Sequence, residues 1–132
     1  MNAPRGSFWT VVGVFVLVGA PTAGLAFGLI VFVEYPPASV GLVDLLRIPG
    51  ALLTGLVGGC LPALMTGLLS AAVSSRIDSK MLWVLIATVA GAAFSTMVYG
   101  WSGGWVYFSP LGGLAGLVSG LVGLGVRPRW SN

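Results

Sequence analysis

The chain has 132 residues, of which 57% are hydrophobic and only 7% are charged, and its net charge at pH 7 is +3. Soluble domains carry about 25% charged residues, so six basic and three acidic side chains are too few to cover a water-facing surface. The composition therefore predicts a single transmembrane domain over residues 1–132. The basic residues are scattered along the chain, which argues against nucleic acid as a partner.

The chain has no histidine and a single cysteine, Cys60. The absence of histidine removes the commonest zinc and copper ligand and the general base that titrates near neutral pH. A lone cysteine within an apolar run is expected to be a protonated, inert thiol. The three carboxylates, Glu34, Asp44 and Asp78, belong to no catalytic or metal-binding motif. We therefore predict no enzyme activity, no catalytic residue, no metal site and no cofactor.

Four uncharged stretches predict four transmembrane helices, because a helix needs about 20 apolar residues to cross the hydrocarbon of a bilayer. They cover approximately residues 9–33, 51–73, 81–101 and 108–126. The first stretch is longer than the apolar core of a cleaved signal peptide, so it is expected to remain as a helix. The expected fold class is thus an all-α membrane protein with four transmembrane helices.

Two prolines lie inside the predicted helices, Pro21 in the first and Pro62 in the second. Each removes a backbone donor and is expected to kink its helix. One interpretation is a broken helix at a binding site, as in transporters. The other is a packing kink whose freed carbonyl is satisfied by a neighbouring helix. The second is favoured, because no charged or strongly polar side chain adjoins either proline.

The connection between the first and second helices predicts a short amphipathic helix over residues 39–48. Ser39 is a suitable N-cap, Asp44 and Arg47 can pair one turn apart, and Pro49 is expected to end the segment. Such a helix would lie in the membrane interface, and its length also allows a re-entrant segment. The segment would act either as a lid over the bundle or as part of a contact site. The candidate contact residues on this side are Glu34, Asp44, Arg47, Trp105 and Tyr107.

The basic residues predict the topology, because Lys and Arg in short loops remain cytoplasmic. Five of the six fall in the two tails and the second loop, which would share one side: Arg5, Arg76, Lys80, Arg127 and Arg129. Both termini are therefore expected in the cytoplasm, an N-in/C-in arrangement. A belt of interfacial aromatic residues is expected on that side at Trp9, Trp83 and Trp130. The abundance of Arg, Gly, Ala, Val and Leu suggests a bacterial source and hence the inner membrane.

Small residues recur every four positions along one face of each predicted helix, which predicts close packing of helix backbones. In the second helix they are Ala51, Gly55, Gly59, Ala63, Gly67 and Ala71, and in the fourth Gly112, Gly116 and Gly120. The first helix has Ala20, Gly24 and Gly28, and the third has Ala87, Gly91 and Ser95. These faces either pack the four helices on one another, or at least one of them binds another protein or a second copy.

The polar residues expected inside these helices are mainly Ser and Thr, whose hydroxyl groups can bond to carbonyls one turn back. The absence of ionisable side chains argues against a proton-coupled transporter. We therefore predict a small, non-catalytic accessory, assembly or structural subunit that acts through helix–helix packing. Its partners would be the lipid bilayer and either a membrane protein or a second copy. The alternative is an oligomeric channel or facilitator for a small solute or lipid.

Overall fold

The computed structural model describes residues 5–34, 42–100 and 105–126, and the regular structure in these ranges is helical. The elements are α1 (Arg5–Val14), a π-helical turn (Phe15–Gly19), α2 (Ala20–Glu34), α3 (Leu42–Val73), α4 (Lys80–Tyr99) and α5 (Trp105–Gly123). The first three follow one another without a break. Together they form the first span, and α3, α4 and α5 supply the other three. The predicted all-helical fold, with four helices long and apolar enough to cross a membrane, is confirmed.

The bundle is built from two antiparallel helix pairs. The most extensive contact joins α4 to α5, and the next joins α2 to α3. In the second of these pairs, Gly55 lies against Gly24 and Gly59 against Ala20. Farther along α3, Gly67 lies against Val12 and Phe15 of the first span. The first span and α3 are therefore in backbone contact from one end of the bundle towards the other.

The contact between α4 and α5 is the closer of the two. A Cβ atom built on Gly91 would overlap the carbonyl oxygen of Gly112, and one built on Gly116 would overlap that of Ala87. The obstacle is in both cases backbone, which cannot rotate away as a flexible side chain can. Any larger residue at these positions must push the two helices apart, so the small residues set the distance between the helices.

One end of the bundle is closed by a packed core, formed by Val11, Val12, Phe15, Ala71, Trp83 and Ala87. The rings of Phe15 and Trp83 meet edge to face with their centroids 6.0 Å apart. The indole N–H of Trp83 donates to the carbonyl of Ser70 over 3.0 Å. This carbonyl is one of the last four in α3, which lack a donor within the helix. Trp83 therefore holds the end of α3 against the start of α4.

The burial of Trp83 corrects the expected belt of interfacial tryptophans. Its side chain is 0% exposed, whereas Trp9 is 66% exposed on the outside of α1. Gly123 gives the indole its space, because a Cβ there would lie 2.7 Å from the Trp83 ring. The indole ring of tryptophan suits both a membrane interface and a protein interior. The position of Trp83 near a helix end therefore did not show which of the two it occupies. Trp130 lies outside the described residues.

Helix α3 continues through Pro49, where the sequence had predicted the end of a separate short helix. The helix runs without interruption from Leu42 to Val73 and contains both Pro49 and Pro62. Its 32 residues correspond to about 48 Å, longer than the roughly 30 Å hydrocarbon layer. A proline removes a single hydrogen bond, and the bonds on either side of it can hold the helix together. The side chains of Asp44 and Arg47, and residues 35–41, lie outside the description.

Replacing Gly116 by Ala is expected to destabilise the bundle, because the new methyl group would meet the backbone of Ala87. Overpacking of this kind typically costs about 1–3 kcal/mol. Gly113→Ala is the matched control on the same helix, since its Cβ would lie 3.6 Å from Ala92 in ordinary contact. Unfolding of the purified protein by SDS titration measures both variants. An equal loss of stability in the two would contradict the close contact at Gly116.

Candidate functional site

Two adjoining chambers lie among the four spans, on the axis of the bundle. The large chamber has a volume of about 140 Å³ and the small chamber about 20 Å³. They share five lining residues, which are Ala23, Gly59, Pro62, Ser95 and Gly112. Because these residues come from α2, α3, α4 and α5, the chambers lie where the two helix pairs face each other.

The large chamber is bordered by aromatic rings from three helices. Phe27 of α2 stacks on Phe108 of α5 with the ring centroids 6.3 Å apart, and Phe108 packs on Tyr99 of α4 at 4.9 Å. Thr54 of α3 also lines this chamber and is exposed on the surface of the bundle. The large chamber is therefore mainly apolar and reaches the protein surface beside Thr54.

A hydrogen bond between α3 and α4 forms part of the wall of the large chamber. In an α-helix the N–H of residue 62 would bond to the carbonyl of residue 58, but Pro62 has no N–H. The hydroxyl of Tyr99 donates to this carbonyl of Gly58 instead. Gly58 has no side chain, and a Cβ there would lie 3.0 Å from the Tyr99 oxygen. Pro62 thus frees the carbonyl of Gly58, and Tyr99 of α4 supplies the donor that α3 lacks.

Three residues with hydroxyl groups line the small chamber, namely Thr66, Ser95 and Ser119. The hydroxyl of Thr66 donates to the carbonyl of Pro62 over 2.7 Å, one turn back along α3. The same arrangement, predicted from the sequence, occurs at Thr22, Thr54, Thr88 and Thr96.

Ser119 departs from this pattern. Its side chain is 0% exposed, and its hydroxyl oxygen has no hydrogen-bond partner. It faces the π-helical turn of the first span, where a Cβ built on Gly19 would lie 2.9 Å from the Ser119 oxygen. Ser70 also has a buried hydroxyl without a partner, but it lines neither chamber. Ser119 is therefore an unsatisfied polar residue on the wall of the small chamber.

The chambers end at the packed core around Trp83. Phe15 lines the small chamber and also belongs to that core. Along α3 the lining extends from Thr54 to Thr66, a rise of about 18 Å. This is somewhat more than half of the roughly 30 Å hydrocarbon thickness. The bundle is thus hollow towards the Tyr99 end and filled at the Trp83 end.

The small residues expected to form helix-packing faces lie mostly between the spans. Gly24 meets Gly55, while Gly112 and Gly116 meet Gly91 and Ala87. Gly59, Gly67 and Gly120 also contact neighbouring helices, and Ala63 and Ala71 are buried. Gly28 is half-buried in α2, and the side chain of Ala51 lies outside the description. Gly55, Gly59, Ala63, Gly112 and Gly116 line a chamber as well, so the same residues allow close approach and leave space.

Two of the expected contact residues on the side of the first loop come together. Glu34 and Tyr107 line a surface groove of about 280 Å³ with Leu29, Ile30 and Val33. Glu34 is exposed at the end of α2, and Tyr107 is half-exposed near the start of α5. The side chains of Asp44, Arg47 and Trp105 lie outside the description, so their contribution stays a prediction.

The lining of the two chambers limits the chemistry available there. Every lining residue is uncharged, and the polar atoms belong to hydroxyl groups and the backbone. In the ranges described, no three His, Cys, Asp or Glu side chains come close enough to hold a metal ion. Cys60 is half-buried and lines neither chamber. The chambers can accommodate an uncharged molecule and offer it hydrogen bonds.

Comparison with protein-family models, curated proteins and solved structures finds no match to this chain.

Reasoning from the sequence missed the chambers and the roles of Tyr99, Gly58 and Ser119. One signal was present, because a proline within a helix identifies the carbonyl four residues earlier as free. For Pro62 that carbonyl belongs to Gly58, but its donor lies 41 residues away along the chain. Only the packing of α3 against α4 identifies that donor.

Tyr99→Phe is expected to destabilise the bundle by about 1 kcal/mol, because the carbonyl of Gly58 loses its donor. In a Pro62→Ala background the same change should cost close to nothing, since the introduced alanine would supply a backbone N–H to that carbonyl. A double-mutant cycle of unfolding free energies measures this coupling. Equal costs of Tyr99→Phe in the two backgrounds would refute the link between Pro62 and Tyr99.

Proposed function

We propose that this chain is a small, non-catalytic accessory, assembly or structural subunit of a bacterial inner membrane, acting through helix–helix packing. The observation that carries the proposal is the chemistry of the buried interior of the bundle. Among the described residues, the buried polar residues are all Ser or Thr: Thr66, Ser70, Ser74, Ser95 and Ser119. Hydroxyl groups in an apolar interior provide no charge relay and no acid–base pair, so the interior is suited to holding helices together.

The outer surface supports the proposal in a second way. Each span presents large apolar side chains outwards, including Leu29, Leu61, Leu85 and Leu121, which are 66%, 52%, 56% and 55% exposed. The glycine faces are used largely within the chain, so a partner would meet these Leu- and Val-rich ridges. Ridges of this kind pack into the grooves of a neighbouring helix through dispersion contacts.

Site-specific cross-linking tests the accessory role. A photoreactive amino acid replaces Leu29, Leu61, Leu85 or Leu121 in turn, which places one probe on each span. After irradiation of native membranes, we expect one or two adjacent positions to capture an unrelated membrane protein in stoichiometric amounts. The remaining positions serve as controls, because they should capture only lipid. Capture of a second copy alone, or of no protein at any position, would overturn the accessory role.

A channel or facilitator for a small solute or lipid is the second candidate, and the two chambers favour it. They occupy the axis of the bundle and reach the surface beside Thr54. The contact between Phe15 and Trp83 lies across the rest of that axis, so passage would require these rings to separate. Uptake of an uncharged solute by liposomes containing only this protein would favour this candidate over the accessory role.

The proposed orientation places both termini in the cytoplasm. Arg76 and Lys80 are exposed beside the turn between α3 and α4, as expected for cytoplasmic basic residues. Replacing Cys60 by Ala gives a background for Glu34→Cys and Ser75→Cys, which alter exposed positions at opposite ends of the spans. In intact cells, a membrane-impermeant maleimide should label only the Glu34→Cys variant. The reverse labelling pattern would refute the orientation.

A further inference from the structure

We propose that the two chambers form one binding site for a small uncharged amphiphile. Its apolar body would fill the large chamber, and its single hydroxyl-type group would bond to Ser119 in the small chamber. This inference gives the second candidate function its class of ligand. It goes beyond that candidate, because the site would bind such a molecule even if nothing crosses the bilayer.

The unpartnered hydroxyl of Ser119 is the first observation behind the proposal. Buried polar groups are nearly always hydrogen-bonded, and leaving one unpaired is costly. Ser119 is 0% exposed, lacks a partner and lines the small chamber. Thr66 lines the same chamber, and its hydroxyl donates to the carbonyl of Pro62. The Thr66 oxygen can still accept a hydrogen bond. A ligand hydroxyl could therefore accept from Ser119 and donate to Thr66.

The volumes of the chambers limit the size of the ligand. A site needs about 10–15 Å³ to hold one water-sized group, and the small chamber has about 20 Å³. The large chamber has about 140 Å³, close to the roughly 150 Å³ of an apolar protein cavity that binds benzene. The site therefore fits a body of about the size of a benzene ring with one polar group attached.

The surroundings select an uncharged ligand and allow it to enter. No lining residue carries a charge, and an ion without a counter-charge is strongly disfavoured in an apolar interior. The polar group can reach Ser119 through the large chamber, because the two chambers share Pro62 and Ser95. Access beside the exposed Thr54 leaves the Phe15–Trp83 core undisturbed.

Phenol and toluene are suitable probes, because they have nearly the same size and differ in a hydroxyl against a methyl group. The full chain, labelled with ¹³C in its alanine methyl groups, is studied by NMR in lipid nanodiscs. Empty nanodiscs supply the correction for partitioning into lipid. Ala23 reports on both chambers and Ala115 on the small one. We expect saturable shifts of both methyl signals, with phenol binding more tightly than toluene.

Ser119→Ala should weaken phenol binding about five- to tenfold and leave toluene binding unchanged, as expected for the loss of one hydrogen bond. Ser70→Ala is the matched control, because it removes the other buried unpartnered hydroxyl, which lines neither chamber. It should alter neither affinity. Thr54→Trp, at the exposed opening, should weaken the binding of both probes.

Absence of saturable shifts at Ala23 and Ala115 would overturn the proposal. Equal loss of phenol binding in Ser119→Ala and Ser70→Ala would overturn it too. Ser119→Ala removes an unpaired group and should fold normally; Ser119→Cys, with its weaker donor, should give an intermediate phenol affinity. Binding without solute uptake in liposomes would refute the facilitator function and support the binding site. Solute uptake without binding would refute the binding site and support the facilitator function.

Discussion

The close approach of helix backbones is the constraint on which the rest of this structure depends. Lipid chains are as apolar as Leu, so helices in a bilayer gain little by hiding apolar side chains from their surroundings. Dispersion contacts must hold them together, and these fall off steeply with distance. Gly91 against Gly112, and Gly24 against Gly55, bring the backbones into direct contact. The two helix pairs, and the space left between them, follow from these contacts.

The same small residues explain why one half of the bundle is hollow. At the Trp83 end, the large rings of Phe15 and Trp83 fill the space that glycine leaves around them. Towards the Tyr99 end, the axis is lined by Ala23, Gly55 and Gly59, and the aromatic rings lie at the border. Space remains there because these residues have little or no side chain to fill it.

Hydrogen bonding links the helices at both ends. Trp83 satisfies a carbonyl at the end of α3, and Tyr99 satisfies the carbonyl freed by Pro62. Without water in the hydrocarbon, each such carbonyl needs a donor from the protein. At Pro62, the carbonyl freed by the proline is thus satisfied by a neighbouring helix, and Pro62 also lines both chambers. Ser119, whose buried hydroxyl has no partner, lines the small chamber, where the proposed ligand would supply one.

The sequence by itself determined the four long apolar helices, the small-residue faces and the uncharged interior. These depend on local composition and on the helical repeat of 3.6 residues, both of which can be read along the chain. Only the tertiary structure decided that α3 continues through Pro49, that Trp83 is buried, and that Tyr99 donates to Gly58. The existence of the two chambers was also decided by the tertiary structure. These features depend on which helix faces which, and contacts between residues far apart in the chain leave no periodic signal in the sequence.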